Sequence, residues 1–436
     1  MGKTRLYILE AKRLCATLIC VALASVNFSA AAQDIDTHPL VYATEMSLDT
    51  LTNRAEADSL MEQLELALTI KQALDSLQAQ EEAAQKKGNI FKRLGRYFGQ
   101  SNVPKDKPFD CTFVIGPSYS KTNSFMLGGG LAGTYSYDRS DPELNRSNIS
   151  AFFSGSVTGI VMLYVKTQNY LKGDRFRWDA TLKAQNGRNL FWGIGYDEGL
   201  ADANETEYRM NRIKFLPNFD FKLANNIFIG PSLDLNWIDV SNDDYNTTLW
   251  HSQSDNIFTK GLGLTFTLDS RDVPTNAYKG YYVQLKQMFY PKVANTYYFN
   301  KADITLQGYW PMWRNCTLAA QLHGASIYGG KAPWHMLCMV GEMNRMRGYY
   351  EGRYRDNNIL EGQIELRQRI WKRLGMTVFG GFANTFDHYD NINLRHTLPN
   401  YGIGLRCEFK PRINIRLDVG FTKNKPGFVL DMSEAF

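Results

Sequence analysis

Two clusters of charged residues stand out by type and spacing. Between 345 and 355 lie four arginines, Arg345, Arg347, Arg353 and Arg355, the second of them opening the tripeptide Arg347-Gly348-Tyr349, and Glu361, Glu365 and Arg367 follow at odd positions. Guanidinium and carboxylate groups in such numbers do ion-pair chemistry, the planar Arg fork being suited to a carboxylate. The second cluster is Asp269-Ser270-Arg271-Asp272, followed by Pro274, Tyr278 and Gly280. Asp, Pro and Gly punctuate a tight turn there, which Asp269 and Arg271 are expected to brace. Hydrolytic chemistry finds little support. The sequence has no Gly-x-Ser-x-Gly elbow and no His-Glu-x-x-His; Asp387-His388 is an adjacent pair of a kind common by chance, and His323 has no serine at a fixed spacing. Cys111, Cys316, Cys338 and Cys407 lack metal-ligand spacing and read as small apolar residues, Cys316 and Cys407 on a lipid-facing side. No enzyme activity, cofactor or metal is expected.

The elements that position these groups announce themselves by period. From residue 111 to 436 the chain repeats segments of roughly ten residues that alternate apolar and polar, each ending in a turn. In one of them Ile413, Ile415, Leu417, Val419 and Phe421 interleave with Asn414, Arg416, Asp418, Gly420 and Thr422. A soluble sandwich and a membrane barrel both accommodate one such strand. The connections separate them: 223–225, 312–315, 372–375 and 410–411 are short, whereas 185–205, 241–256, 329–357 and 386–397 are long and polar. Short periplasmic turns alternating with long extracellular loops are a barrel property, and a sandwich has no reason to sort its loops by parity. We therefore expect an all-β fold, an antiparallel transmembrane barrel of about sixteen strands. Leu262, Leu264, Phe266 and Leu268, Ala302, Ile304, Leu306 and Trp310, and Ile364, Leu366 and Ile370 face lipid on this reading. Thr265, Thr267, Asp269, Asp303, Gln307, Glu361, Glu365, Arg367 and Arg369 face the lumen. In the last strand Phe428, Leu430, Met432 and Phe436 form the outward-facing terminal signal, and Glu434 shares their parity at the rim. Trp310, Trp313 and Trp371 are placed for an aromatic girdle.

The N-terminus specifies the compartment. Lys3, Arg5, Lys12 and Arg13 precede an apolar run ending in Ala30, Ala31 and Ala32, the pattern of a signal peptide over 1–32. Residues 33–107 read as a short periplasmic helical segment: Leu60, Leu64, Leu68, Leu74 and Leu77 recur among charges, and Ile90, Phe91, Leu94, Tyr97 and Phe98 share a face opposite Lys92, Arg93 and Arg96. That second face suits an anionic membrane surface or the barrel mouth. The barrel takes 108–436. Abundant Tyr, Phe and Gly with mildly negative mean hydropathy fit strands that show lipid one face and water the other. The slight positive charge, part of it in the signal, supports no nucleic-acid partner.

The barrel, the two motifs in this order and terminal Phe436 together resemble the BamA/TamA family of outer-membrane assembly barrels, also called bacterial surface antigens, over about three quarters of the chain. The resemblance implies the outer membrane of a Gram-negative bacterium and a role in assembly, insertion or translocation of proteins or lipids; a gated pore or structural barrel is the alternative. Partners would be outer-membrane lipids, unfolded outer-membrane clients and assembly lipoproteins. It also implies that Arg347, Gly348 and Tyr349 tip a loop folded into the lumen, with Glu365 as one acidic partner. A second family carboxylate lies in a Phe-x-Asp-x-Gly pattern on the next strand, but here that stretch reads Phe379-Gly380-Gly381-Phe382-Ala383, predicting a less firmly held lid. Physics supplies its own reason for a lid, because a wide barrel leaves an aqueous hole unless something fills it. Without the motif, the four arginines would be read as meeting lipopolysaccharide or solvent outside. The family's periplasmic modules of mixed strands and helices find no strand pattern in 33–107 and are expected to be absent.

Overall fold

A computed structural model describes residues 109–120, 122, 124–138, 144–241, 253, 255–341, 344–410, 412–423 and 426–436. The expected signal peptide and helical segment lie outside the described residues. Sixteen strands form one closed antiparallel ring. In chain order they are β1 (Phe109–Ser120), β2 (Ser124–Tyr135), β3 (Ser147–Ser156), β4 (Val161–Tyr170), β5 (Phe176–Phe191), β6 (Thr206–Ala224), β7 (Ile227–Ser241), β8 (Asn256–Asp269), β9 (Gly280–Tyr290), β10 (Phe299–Trp313), β11 (Cys316–Tyr328), β14 (Asn358–Trp371), β15 (Leu374–Phe386), β16 (Leu398–Lys410), β17 (Ile413–Thr422) and β18 (Gly427–Met432). Two short strands, β12 (Cys338–Met339) and β13 (Arg355–Asp356), pair with each other inside the β11–β14 loop.

Solvent exposure runs opposite to that of a soluble sandwich. Leu262, Leu264, Ile364, Ile403 and Leu405 are exposed on the outer surface, while Asn236, Thr265, Glu365, Arg416 and Asp418 are fully buried. Apolar groups turned outward and ionic groups turned inward make a stable object in hydrocarbon, where backbone groups must be satisfied within the ring. The inward and outward sets named from the alternation hold side chain by side chain in β8 and β17; in β14 they hold up to Arg369, which is exposed at the rim, and in β10 Ala302 and Asp303, like Leu306 and Gln307, are alike half-buried. Trp310, Trp313 and Trp371 are exposed on the outer face near the turn end, as a girdle requires.

Loop sorting is clear from β5 onward: β6–β7, β10–β11, β14–β15 and β16–β17 join by short turns, and β5–β6, β7–β8, β11–β14 and β15–β16 by long loops. Nearer the N-terminus it weakens. The β1–β2 and β3–β4 connections are short although they lie at the loop end, and the β2–β3 and β8–β9 connections are longer than tight turns.

Three expected positions differ. Cys407 is exposed on the outer face, but Cys316 is buried, because its cross-strand neighbours Trp313 and Gln368 hydrogen-bond to each other at 2.8 Å. Glu434 and Phe436 do not continue the outward row of Phe428 and Leu430. The strand ends at Met432, and Ser433 takes φ +77°, a left-handed turn that breaks the two-residue period. Glu434 then lies inside, accepting from Arg406 Nε at 2.8 Å and Asn414 Nδ2 at 2.5 Å. Phe436 packs on Tyr309 beneath the Arg367 guanidinium, whose carbon is 4.9 Å from the ring centroid. An outward Glu434 at the rim is therefore not needed.

Candidate functional site in the barrel lumen

The β11–β14 loop is the element that organises the lumen. Its ends are drawn together by the β12–β13 pair, Cys338 opposite Asp356 and Met339 opposite Arg355, extended by Val340 N–H donating to Tyr354 O at 3.0 Å and Gly352 N–H to Val340 O at 2.9 Å. The tip turns at Met346 (φ +48°) and Gly348 (φ +103°). Glycine is required at 348, since a Cβ there would lie 2.8 Å from Gly420 O and a positive φ strains any other residue. The wall is thinned to match. A Cβ at Gly420 would meet Arg347 O at 2.3 Å, and one at Gly427 would meet the Gly348 Cα at 3.0 Å. The tip backbone thus seats directly on β17 and β18.

Arg347 is fully buried between two carboxylates from different strands. Its Nη2 pairs with Glu365 Oε1 on β14, and its Nη1 donates to Asp418 Oδ2 on β17 at 2.8 Å. The guanidinium lies over the Phe379 ring, 3.7 Å from the centroid. The expected shortage of a second carboxylate is therefore made good from another strand. Phe379, which opens the stretch lacking the usual Asp, supplies a ring face instead. Around this centre Glu365 also accepts from Arg367 Nε at 2.8 Å, and Asp418 from Arg406 Nη1 at 2.5 Å and Arg416 Nη1 at 3.0 Å. Arg416 continues to Asp431 at 3.0 Å and to Asn344 Oδ1 at 2.7 Å. Arg347, Arg367, Arg406 and Arg416 are balanced by the buried Glu365, Asp418 and Glu434 and the half-buried Asp431, so the formal charge of the cluster sums to zero.

The other loop arginines divide. Arg345 pairs with Glu361 at 2.5 Å, and Glu361 also contacts His323 Nδ1 at 2.8 Å, whose Nε2 faces Asp303 at 3.0 Å. Arg353 and Arg355 do not reach lumenal carboxylates. Arg353 instead donates to Gly199 O at 2.8 Å and Asp202 Oδ1 at 2.6 Å in the β5–β6 loop, and Arg355 to Gly352 O at 2.8 Å while lying over Phe191. Both sit at the loop base, level with the neighbouring extracellular loop rather than the wall. Tyr349 donates from Oη to Pro399 O at 2.8 Å, and burial pushes its hydroxyl up to about 12, keeping it a donor. His335 lies buried on the same loop. Desolvation, reinforced by Arg212, Arg355 and Lys214, holds its pKa well below the usual histidine range, so it is neutral.

The second motif forms a brace at the turn end. Asp269 accepts from Arg271 Nε at 2.8 Å and lies 3.4 Å from Arg177 Nη1, and Arg271 covers the Tyr282 ring. Burial opposes the charge on Arg271, but Asp269 outweighs it and raises the pKa. Asp272 accepts from Tyr278 N–H at 2.9 Å and pairs with Arg412 of the β16–β17 turn. Pro274 sits in the turn itself, and a Cβ at Gly280 would lie 2.3 Å from Ser270 O. Asp387 accepts from His388 N–H and Asn391 Nδ2, both at 2.8 Å, a local turn contact and not an imidazole dyad.

Sequence reasoning missed Asp418, Phe379, Gly420 and Gly427 as loop contacts. The alternation already turned Asp418 inward, but no spacing links strands β14 and β17.

Among comparisons with known proteins, the family model described as the Omp85 superfamily domain matches residues 148–434. The crystal structure of BamA from Haemophilus ducreyi lacking POTRA domains 1–3 is similar at 13% identity, covering 76% of this chain and 70% of that one, with TM-score 0.50. CdiB from Escherichia coli follows at 11% identity, 76% and 64% coverage and TM-score 0.49, and CdiB from Acinetobacter baumannii at 9%, 75%, 59% and 0.48. The chain thus spans less than two thirds of either CdiB. No curated protein matches the chain at a significant level.

Proposed function

The chain belongs to the Omp85 superfamily of outer-membrane barrels, and from that premise we propose that it assists insertion or translocation of proteins through a seam between its first and last strands. One observation carries this reading. Every other pair of neighbouring strands shares a long ladder, but among the described residues β1 and β18 meet at one register pair, Tyr119 opposite Leu430. The contact is supported outside by the stack of Tyr119 on Phe428, centroids 3.6 Å apart. β18 is also the shortest strand of the ring, and Pro117 in β1 has no ladder N–H to give. A seam this weakly hydrogen-bonded separates at the smallest cost in the ring and exposes edges that template an incoming strand.

The loop tip reports on the seam. Arg347 and Gly348 rest on Gly420 and Gly427, so withdrawing the tip removes backing from both last strands at once. We assign Arg347, Gly348, Tyr349 and Glu365 to the lock, Asp269, Arg271, Asp272, Pro274 and Gly280 to the periplasmic brace, and Phe428, Leu430 and Met432 to the edge strand. Clients are unfolded outer-membrane proteins, with assembly lipoproteins as partners.

The test is a disulfide across the seam. Tyr119→Cys with Leu430→Cys joins directly opposed residues, whose Cα separation in an antiparallel pair, about 4.5–5.5 Å, suits the bond. Cys111 and Cys407, both exposed, are replaced by Ser in the same background. Oxidation should deplete client proteins from the outer membrane, and reduction should restore them. Unchanged outer-membrane composition with the bond formed would refute the proposal. A gated pore is the second reading, favoured by the loop that fills the lumen. Conductance of the wild type and Arg347→Ala decides it, and silence from both removes it.

A further inference from the structure

A cavity of about 210 Å³ opens at the turn end of the barrel, where β10, β11, β14 and β15 stop and inner and outer faces meet over the rim. Its inner side is cationic. Arg367, Arg369, Arg373 and Arg406 line it against two carboxylates, Glu408 and Glu434. Those carboxylates are already engaged, Glu408 by Arg369 at 2.5 Å and Glu434 by Arg406 and Asn414. Arg367 Nη1 and Arg406 Nη2 have no acceptor among the described residues, although both side chains are more than nine-tenths buried. Buried guanidinium donors without acceptors lose hydration with nothing in exchange, so this corner is built to meet an oxyanion. The outer side of the same cavity is apolar: Trp313, Leu374 and Met376 line it and are exposed where acyl chains lie.

We propose that this cavity binds the phosphate of a phospholipid headgroup from the periplasmic leaflet. The phosphate oxygens accept first from Arg369 and Arg373 at the entrance, and Arg367 Nη1 and Arg406 Nη2, closed behind the cavity wall, are reached only if the guanidinium planes turn toward it. The acyl chains leave over Trp313, Leu374 and Met376. Continuity between a cationic interior and an acyl-facing rim is what selects a lipid phosphate over a free one. The volume, that of about seven waters at liquid density, admits a phosphate with its glycerol. Arg367 and Arg406 also hold Glu365 and Asp418, the two carboxylates on Arg347, so an occupied cavity stiffens the loop anchor from below.

The test is native mass spectrometry of the full chain, purified in detergent and stripped of lipid, titrated with phosphatidylglycerol and, in a separate arm, with diacylglycerol. Inorganic phosphate is titrated by calorimetry. One phosphatidylglycerol per barrel, no retained diacylglycerol, and at least tenfold weaker retention in Arg369→Gln/Arg373→Gln support the proposal. Folding of that variant is checked by its heat-modifiable migration in gels. Equal retention of diacylglycerol and phosphatidylglycerol by the wild type would overturn it without need of any variant. Wild-type retention by a folded double variant would also overturn it. Binding of inorganic phosphate with no lipid retained would overturn it too, leaving a free-anion site.

Discussion

Arg347→Ala separates the lock from the wall it closes on. In the wild type the guanidinium makes two charge-assisted contacts, to Glu365 and to Asp418 at 2.8 Å, and lies on Phe379. Breaking a buried ion pair costs about 3–5 kcal/mol when the partner is left uncompensated. Here neither partner is left so. Glu365 keeps Arg367 at 2.8 Å, and Asp418 keeps Arg406 at 2.5 Å and Arg416 at 3.0 Å. The alanine also removes the cost of burying the guanidinium, and we set the net loss of docking at about 2–3 kcal/mol, roughly a 30–150-fold shift toward the withdrawn loop. The contacts of Tyr349 with Pro399 and of Arg345 with Glu361 persist, so the loop does not detach outright. The expected result in planar bilayers is a 30–150-fold rise in the frequency of brief openings, on the same scale. Limited proteolysis at 340–354 should accelerate in parallel, with the barrel intact. Wild-type opening frequency together with wild-type protease protection would show that Arg347 does not hold the loop.

Asp418→Asn should be more damaging than Arg347→Ala, because Arg347, Arg406 and Arg416 all share that carboxylate; a loss of about 3–5 kcal/mol is expected, read as a lower midpoint of heat-induced unfolding in detergent. Gly420→Ala places a methyl 2.3 Å from Arg347 O, so the tip must lift; a probe on residue 348 should move away from one on β17, and an unchanged distance would refute the seating. His335 gives a pH dependence whose sign is fixed by its lowered pKa in the docked loop. Docking is fully present above the ordinary histidine value, about 6.5, and is lost progressively as pH falls below it. Loop proteolysis should quicken on acidification in the wild type and stay flat in His335→Leu.

The alternation alone determined the architecture. Side-chain direction in a strand has period two and is a local property, so ten residues suffice to place Ile415 and Leu417 outside and Arg416 and Asp418 inside. The same local logic recovered the strand count and the lipid-facing sets; the docked loop was read from the Arg347-Gly348-Tyr349 motif, and of its four arginines Arg345 and Arg347 reach lumenal carboxylates. It failed wherever period two was interrupted: Ser433 turns left-handed, and Glu434 and Phe436 fall inside although their spacing put them outside. It could not pair Arg347 with Asp418 either. Those residues are 71 positions apart on a loop and a distant strand, and their meeting depends on closure of the ring and on how far the loop descends, neither of which leaves a trace in local spacing. The weakness of the seam is likewise a fact about two ends of the chain. A proline in β1 hinted at it, but only the closed ring shows that β1 and β18 share one register pair among the described residues, because the hydrogen bonds between strands belong to their juxtaposition and not to either sequence.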